Sequence, residues 1–181
     1  KKGDTLGIIG PSSAVSRGSL ERSLKNMKEA GFQVKYTDNV RVKKGFLAGT
    51  DQQRLDDLHA MFKDPEVDGV YCIRGGYGAG RLLNDIDYEL IRNNPKFFMG
   101  YSDITALLFA IYKHAGMVCF HGPNVDSTRT PFMESQFQRL IMDREKGYDI
   151  RSDNELLPEE SLNIAETISP GKARGKLIGG N

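Results

Sequence analysis

An α/β fold, a doubly wound and mostly parallel sheet, is what this sequence predicts, and three observations predict it. Short apolar runs alternate with helix-period segments through residue 120. Each run is too short for a helix, and most are apolar at nearly every position, as a strand covered on both faces is. Gly or Pro marks most of the boundaries between them. Helices between such strands supply the long crossovers that parallel pairing requires and cover the sheet.

Taken in order, the first strand is read at Leu6 to Ile9. Leu20, Leu24 and Met27 then share one helical face, and Gly31 provides a left-handed stop before a second strand at Phe32 to Tyr36. Thr50 and Gln53 have capping-box spacing, Leu55, Leu58, Met61 and Phe62 form the apolar stripe behind them, and Pro65 ends that helix. Strands follow at Val70 to Ile73 and at Phe97 to Met99. The strongest helix comes next: Ile104, Leu107, Leu108, Ile111, Tyr112 and Ala115 recur on one face, with Gly116 as terminator. A fifth strand is read at Met117 to Phe120. Thr130-Pro131 has the form of an N-cap and first helical residue, ahead of Phe137, Leu140 and Ile141 on one face.

The domain organisation expected from this rhythm is an N-terminal α/β domain over 1–125, a helix and connecting segment over 126–165, and the start of a truncated second, smaller domain over 166–181. Past Gly147 the chain is polar and acid-rich through Glu160, then turns apolar again and breaks off after Leu177-Ile178. The first residue is not Met, which leaves a removed leader open.

Lys and Arg number 25 against 24 Asp and Glu, for a net charge of +1, with no dense basic run. A protein working through a broad basic nucleic-acid surface is therefore excluded. No stretch approaches the ~20 apolar residues of a bilayer span, so no membrane partner is expected. Cys72 and Cys119 each sit inside an apolar run, which reads as two buried, reduced thiols in a cytoplasmic protein and excludes a disulfide framework or a Cys-based zinc site.

In open parallel sheets ligands bind beyond the carboxyl ends of the strands, so the loops that follow the strands are the candidates for chemistry. Gly100-Tyr101-Ser102-Asp103-Ile104 leads from the fourth strand directly into the strongest helix. A serine on such a turn has two readings here. It is the exposed nucleophile of an elbow, facing the first helical N–H groups, or it is only a helix cap. An elbow normally has Gly two places after the serine, and this sequence has Ile104. The loop after the third strand, Arg74-Gly75-Gly76-Tyr77-Gly78-Ala79-Gly80-Arg81, carries four glycines in six residues. Its backbone N–H groups suit an anion or a developing oxyanion. Gly75 and Gly80 have P-loop spacing, but Arg81 and Leu82 stand where Lys and Ser/Thr are required, and the dinucleotide fingerprint fails on Arg81. No nucleotide or other cofactor is expected.

The histidines complete no site by spacing. His59 reads as the surface of the second helix. His114 falls in the last turn of the helix that starts at Asp103, roughly 16 Å from Ser102 along its axis. His121 ends the fifth strand on the productive edge. No pair has the i, i+4 spacing of a helical zinc site, so no metal is expected.

Together the loops resemble those of the LD-carboxypeptidase family of serine peptidases, which includes muramoyltetrapeptide carboxypeptidases and microcin C self-immunity hydrolases. The segments that carry the resemblance are Gly3 to Ser12, Arg74-Gly75-Gly76-Tyr77-Gly78 with Arg81-Leu82-Leu83, Gly100 to Thr105, His121-Gly122-Pro123 and Gly179-Gly180-Asn181. They span the chain in the family's order. The resemblance implies a domain like the class I glutamine amidotransferase fold, joined to a smaller C-terminal domain, and a metal-free Ser, His and Glu mechanism. It implies Ser102 as nucleophile and the N–H groups of Gly76 and Asp103 as the oxyanion hole, with Gly75 beside them in the substrate cleft. The family's Glu and His have no counterpart here and are expected downstream of Asn181, so the chain as given is expected to show little turnover.

The activity so implied is release of the terminal D-amino acid from a murein tetrapeptide or a related small peptide, with homodimerisation a common family property. Two alternatives remain. One is amide cleavage in a microcin C-type peptide–nucleotide conjugate, for which aromatic side chains that stack on a base would discriminate, expected downstream of Asn181 or in a variable loop such as Val40 to Gly49. The other is a non-catalytic α/β domain that holds an anion. Arg74 or Arg81 would suit a substrate carboxylate, although surface arginines are more often solvated or paired.

Overall fold

The computed structural model describes residues 1–128, 130–144, 146, 170–172, 174 and 180. The chain divides into two compact units, Lys1–Ser127 with Gly179–Asn181 and Thr128–Ile178.

The first unit is built on five parallel strands, β1 (Thr5–Ile9), β2 (Gln33–Lys35), β3 (Gly69–Cys72), β4 (Phe97–Gly100) and β5 (Phe120–His121). Their order across the sheet is β2-β1-β3-β4-β5. Register runs Leu6 opposite Gly69, Val70 opposite Phe98 and Met99 opposite Phe120. The doubly wound α/β class read from the sequence is the class observed.

Helices α1 (Arg17–Glu29), α2 (Asp51–Lys63), α3 (Tyr88–Asn93) and α4 (Thr105–Ala115) form the crossovers. Side chains alternate across each strand, so Ile9, Val70, Cys72 and Phe98 point to one face. There they join Leu55, Leu58 and Phe62 of α2, Ile91 of α3 and Leu107 and Ile111 of α4 in one buried cluster. Chain direction reverses across β1: β2 lies on one side of it and β3 on the other. Right-handed crossovers then put α1 on the opposite face, where its stripe Leu20, Leu24 and Met27 is buried. Thr50 makes the capping box expected of it, accepting from the Gln53 N–H while the Gln53 side chain accepts from Thr50 N–H.

Several details depart from the sequence reading. The fifth strand is Phe120–His121, not Met117 to Phe120. After the left-handed Gly116, Met117 is buried in the helix-side cluster, and pairing with β4 starts three residues later. The second strand is shorter than expected, Gln33–Lys35. Helix α3 was not anticipated; only Ile91 of its six residues is fully buried, too little to make a stripe. Cys72 is buried but Cys119 only half-buried. Burial pushes both thiols up, Cys119 to about 12.

The second unit contains α5 (Pro131–Phe137), which continues as a π-helical turn over Gln138–Met142. Thr130 caps it as expected, its hydroxyl accepting from the Met133 N–H. Phe137, Leu140 and Ile141 are half-buried. The polar stretch after Gly147 and most of residues 166–181 lie outside the described residues.

Candidate active site

A sheet ordered 2-1-3-4-5 opens a crevice at its carboxyl edge where the connections from β1 and β3 diverge to opposite faces. The loops after β1, β3 and β4 meet at that edge. Ser102 is the first residue of a 3-10 turn, Ser102–Ile104, that joins β4 to α4. Its φ of 62° lies in the left-handed region, where among the described residues only one other non-glycine residue, Arg144, is found. Holding a serine there costs about 1–3 kcal/mol and requires surroundings that over-determine it. Neither the 3-10 turn nor α4 is capped by a side chain. The cap reading of Ser102 therefore fails, and the geometry is that of a strained strand-to-helix elbow.

The glycine loop lies directly against this turn. A Cβ on Gly75 would stand 3.0 Å from the Tyr101 carbonyl oxygen and 3.2 Å from Ser102 Cβ, so a side chain there would have to push the Ser102 turn back by a few tenths of an ångström. Gly76 has φ +110°, and a Cβ there would fall 2.3 Å from Ser13 Oγ. Gly75 is buried and Gly76 exposed. No described residue accepts from the N–H of Gly76 or of Asp103. These two N–H groups belong to the glycine loop and to the Ser102 turn, which meet at Gly75.

Buried polar side chains hold the loops. The Asp103 carboxylate accepts from the Ser12 hydroxyl and, at 2.8 Å, from the Ala79 N–H. Asn124, buried beyond β5, accepts from the Tyr101 N–H at 3.1 Å. Arg54 of α2, 1% exposed, donates to the carbonyls of Pro11 at 2.6 Å and Gly78 at 2.9 Å and also pairs with Asp51. Asp51 in turn takes a bidentate pair from Arg81 at 2.6–3.0 Å, which holds the Asp51 carboxyl below its usual range. Sequence reasoning missed Arg54 and Asn124. A polar residue on an amphipathic helix and one in a loop carry no local signal of burial.

The two arginines considered for a carboxylate are both paired, Arg81 with Asp51 and Arg74 with Asp126 at 3.5 Å. Burial raises the Asp126 carboxyl, and Arg74 opposes that. His59 is not a surface residue: it is half-buried, its Nε2 accepts from the Asp87 N–H at 2.9 Å, and burial lowers its pKa. His114 stacks on Tyr88 with ring centroids 4.8 Å apart, away from the elbow. His121 stands on the productive edge, edge-on to the Tyr101 ring at 6.3 Å. The structure thus brings together Ser102, Asp103, Gly75 and Gly76, with Ser12, Ser13 and Asn124 behind them. Phe46 and Tyr77, both exposed, meet edge-on at 6.2 Å on the rim. Among the described residues no three His, Cys, Asp or Glu side chains are grouped to hold a metal ion, and no helix is long and apolar enough to cross a membrane.

Comparison with known proteins places the chain in a family. The model of the LD-carboxypeptidase N-terminal domain matches residues 6–122. A probable murein peptide carboxypeptidase of Bacillus subtilis is 41% identical over 186 residues, 99% of this chain and 55% of that protein. The murein tetrapeptide carboxypeptidase of Pseudomonas aeruginosa is 39% identical over 119 residues, 65% of this chain and 38% of its own. Among solved structures, an MccF-like protein from Bacillus anthracis superposes with a TM-score of 0.72 at 37% identity, covering 77% of this chain and 44% of that one. The chain spans about half the length of the curated relatives it matches.

Proposed function

The chain belongs to the LD-carboxypeptidase family through its N-terminal domain, and from that premise we propose that it carries the nucleophile and oxyanion donors of a cytoplasmic serine carboxypeptidase acting on murein peptides. The observation that supports this best is the strained Ser102, φ 62°, on a turn that packs against the glycine loop, with no described residue accepting from the N–H of Gly76 or Asp103. In this reading Ser102 Oγ attacks the carbonyl carbon of the amide before the terminal D-amino acid. Its proton passes to a general base, and the carbonyl oxygen takes up negative charge between the two N–H groups. Collapse breaks the C–N bond, the amine leaves with the proton from the base, and water then hydrolyses the serine ester. Each oxyanion donor contributes about 2.7–4 kcal/mol to the transition state.

The base and its orienting partner are taken to be the family's Glu and His, placed outside residues 1–181. His59 is held by Asp87 and His114 by Tyr88, so neither is assigned that role. Residues 1–181 alone are then expected to turn over little or no substrate.

The experiment is Ser102→Ala in the full-length protein, assayed by release of the terminal D-amino acid from a murein tetrapeptide. Loss of at least about a thousandfold in kcat is expected, together with loss of labelling by a fluorophosphonate. Hydrolysis retained by the variant would overturn the assignment. A second reading, cleavage of a peptide–nucleotide amide, is favoured by Phe46 and Tyr77, two exposed rings in edge-on contact that could offer a face to a base. Competition between a murein tetrapeptide and an aminoacyl sulfamoyl nucleoside, with Phe46→Ala as control, separates the two.

A further inference from the structure

The segment after β1 has no part in the chemistry just described, yet it touches both halves of the site. Ser12 and Ser13 are adjacent, and their side chains bond in different directions. The Ser12 hydroxyl, 0% exposed, donates to Asp103 Oδ2, 91 residues away. The same oxygen accepts from the Ala79 N–H at 2.8 Å. The Ser13 N–H donates to the Gly75 carbonyl at 3.2 Å, and Ser13 Oγ accepts from the Tyr77 N–H at 3.0 Å. The pair is itself anchored, since the Ala48 N–H donates to the Ser12 carbonyl at 3.0 Å. Gly76, between the two residues that Ser13 holds, has a φ accessible only to glycine.

Three loops therefore share one polar brace, and both oxyanion donors hang from it. Asp103 presents one N–H from its backbone, and its carboxylate reaches the far end of the glycine loop at Ala79. Gly76 presents the other, clamped on either side by Ser13. A shift of about 1 Å in such a pair is enough to cost ~100-fold in rate. We infer that Ser12 and the Asp103 carboxylate are positioning residues, which set the separation of the Gly76 and Asp103 N–H groups without touching the substrate. The inference rests on the nucleophile reading above and adds a role to side chains that reading leaves unused.

One acceptor oxygen carries both bonds, and this makes the idea testable with an isostere. Asp103→Asn can place its Oδ1 where Oδ2 stands and keep both donors, losing only the added strength that charge gives. Asp103→Ala removes the acceptor and leaves the Ser12 hydroxyl and the Ala79 N–H without it. The measurements, on the full-length protein, are kcat and KM for a murein tetrapeptide and the second-order rate of fluorophosphonate labelling at Ser102. The phosphonyl oxygen occupies the same hole, so labelling reports its geometry directly. Asp103→Ala is expected to lower kcat and the labelling rate together by about 100-fold with KM little changed. Asp103→Asn should recover most of both, and Ser12→Ala should fall between.

A merely structural role would lower the melting temperature of Asp103→Ala and leave kcat at 25 °C unchanged, and that result overturns the inference. Should Asp103→Ala fail to fold, Ser12→Ala decides, because it deletes one hydroxyl and leaves the backbone alone; parent-like kcat and labelling in that variant are equally fatal. A parent that is neither labelled nor active overturns the nucleophile assignment and the brace with it. A parent that is labelled no faster than its variants overturns the brace alone.

Discussion

At the carboxyl edge of the sheet the loops after β1, β3 and β4 are joined by Ser12, Arg54, Asp103 and Asn124, buried or half-buried polar groups that cross between elements distant in sequence. At the opposite edge the turn before β3 is tied down by two half-buried lysines. Lys35 pairs with Asp64 and with Glu66, the latter 79% exposed, while Lys96 donates to the Asp64 and Val67 carbonyls. The two edges hold their polar groups in media of different polarity, and at the upper one Arg54 Nε is buried with no hydrogen-bond partner among the described residues. Water reaches the Lys35 pairs at the lower edge, where the Glu66 carboxylate is exposed, so these are weak and replaceable. At the upper edge a missing partner leaves a desolvated group behind, so each bond is expensive to lose. Positive φ at a glycine occurs at both edges, as at Gly3 and Gly31 below and Gly76 above, but Ser102, a non-glycine with positive φ, lies beside the buried network, where the surroundings can hold it. Strain and buried polarity occur together because only such a network can keep a strained serine in place.

The comparison breaks first at Arg54. Replacing it with Leu deletes the donor to Pro11 and Gly78 and should destabilise the protein by about 3 kcal/mol, read from the midpoint of a denaturant titration. A loss no larger than that of an exposed pair would show the upper network to be ordinary. A smaller effect separates two substitutions of one residue. Ser102→Gly relieves the positive φ and Ser102→Ala keeps it, so the glycine variant should be more stable by about 1 kcal/mol. Equal midpoints would mean that the elbow is not strained in solution.

A third test concerns His59, half-buried between the two extremes. Its pKa is lowered by burial, so the unfolded chain binds the proton first as pH falls. Its contribution is therefore complete above about pH 6.5 and is lost as pH drops below that toward the folded value. Between pH 7.5 and 5.5 the melting temperature of the parent should fall further than that of His59→Gln, whose amide oxygen still accepts from Asp87. Parallel slopes would remove His59 from the account. The smallest effect belongs to the lower edge: Lys35→Ala should melt with the parent within error, and a clear drop would place that edge with the upper one.

Much of this was legible in residue order. The stripes of α1, α2 and α4 are where the spacing put them, because an amphipathic period reports burial directly. The Gly-rich loop and the Gly100-Tyr101-Ser102 turn stood out for the same local reason. Helix α3 did not, since its Asp87 cap, which accepts from the Leu90 N–H, was the only signal and no stripe followed it. His59 and Arg54 look like solvent-facing residues of α2 until β3 and its loop are laid against that helix.

By itself, then, the sequence determined the alternation of strands and helices, and with it the α/β class and the edge on which a ligand site would lie. It also placed a serine on a tight turn and glycines in the facing loop. What only the tertiary structure decided is which loops meet and what holds them: Ser12 on Asp103, Ser13 on Tyr77, Arg54 on Gly78. Local pattern encodes a residue's φ, ψ and exposure, whereas these pairs are set by the order β2-β1-β3-β4-β5, which places β1 beside β3 and β3 beside β4. Contacts across 24 to 91 positions of chain follow from that order and have no counterpart in periodicity or spacing.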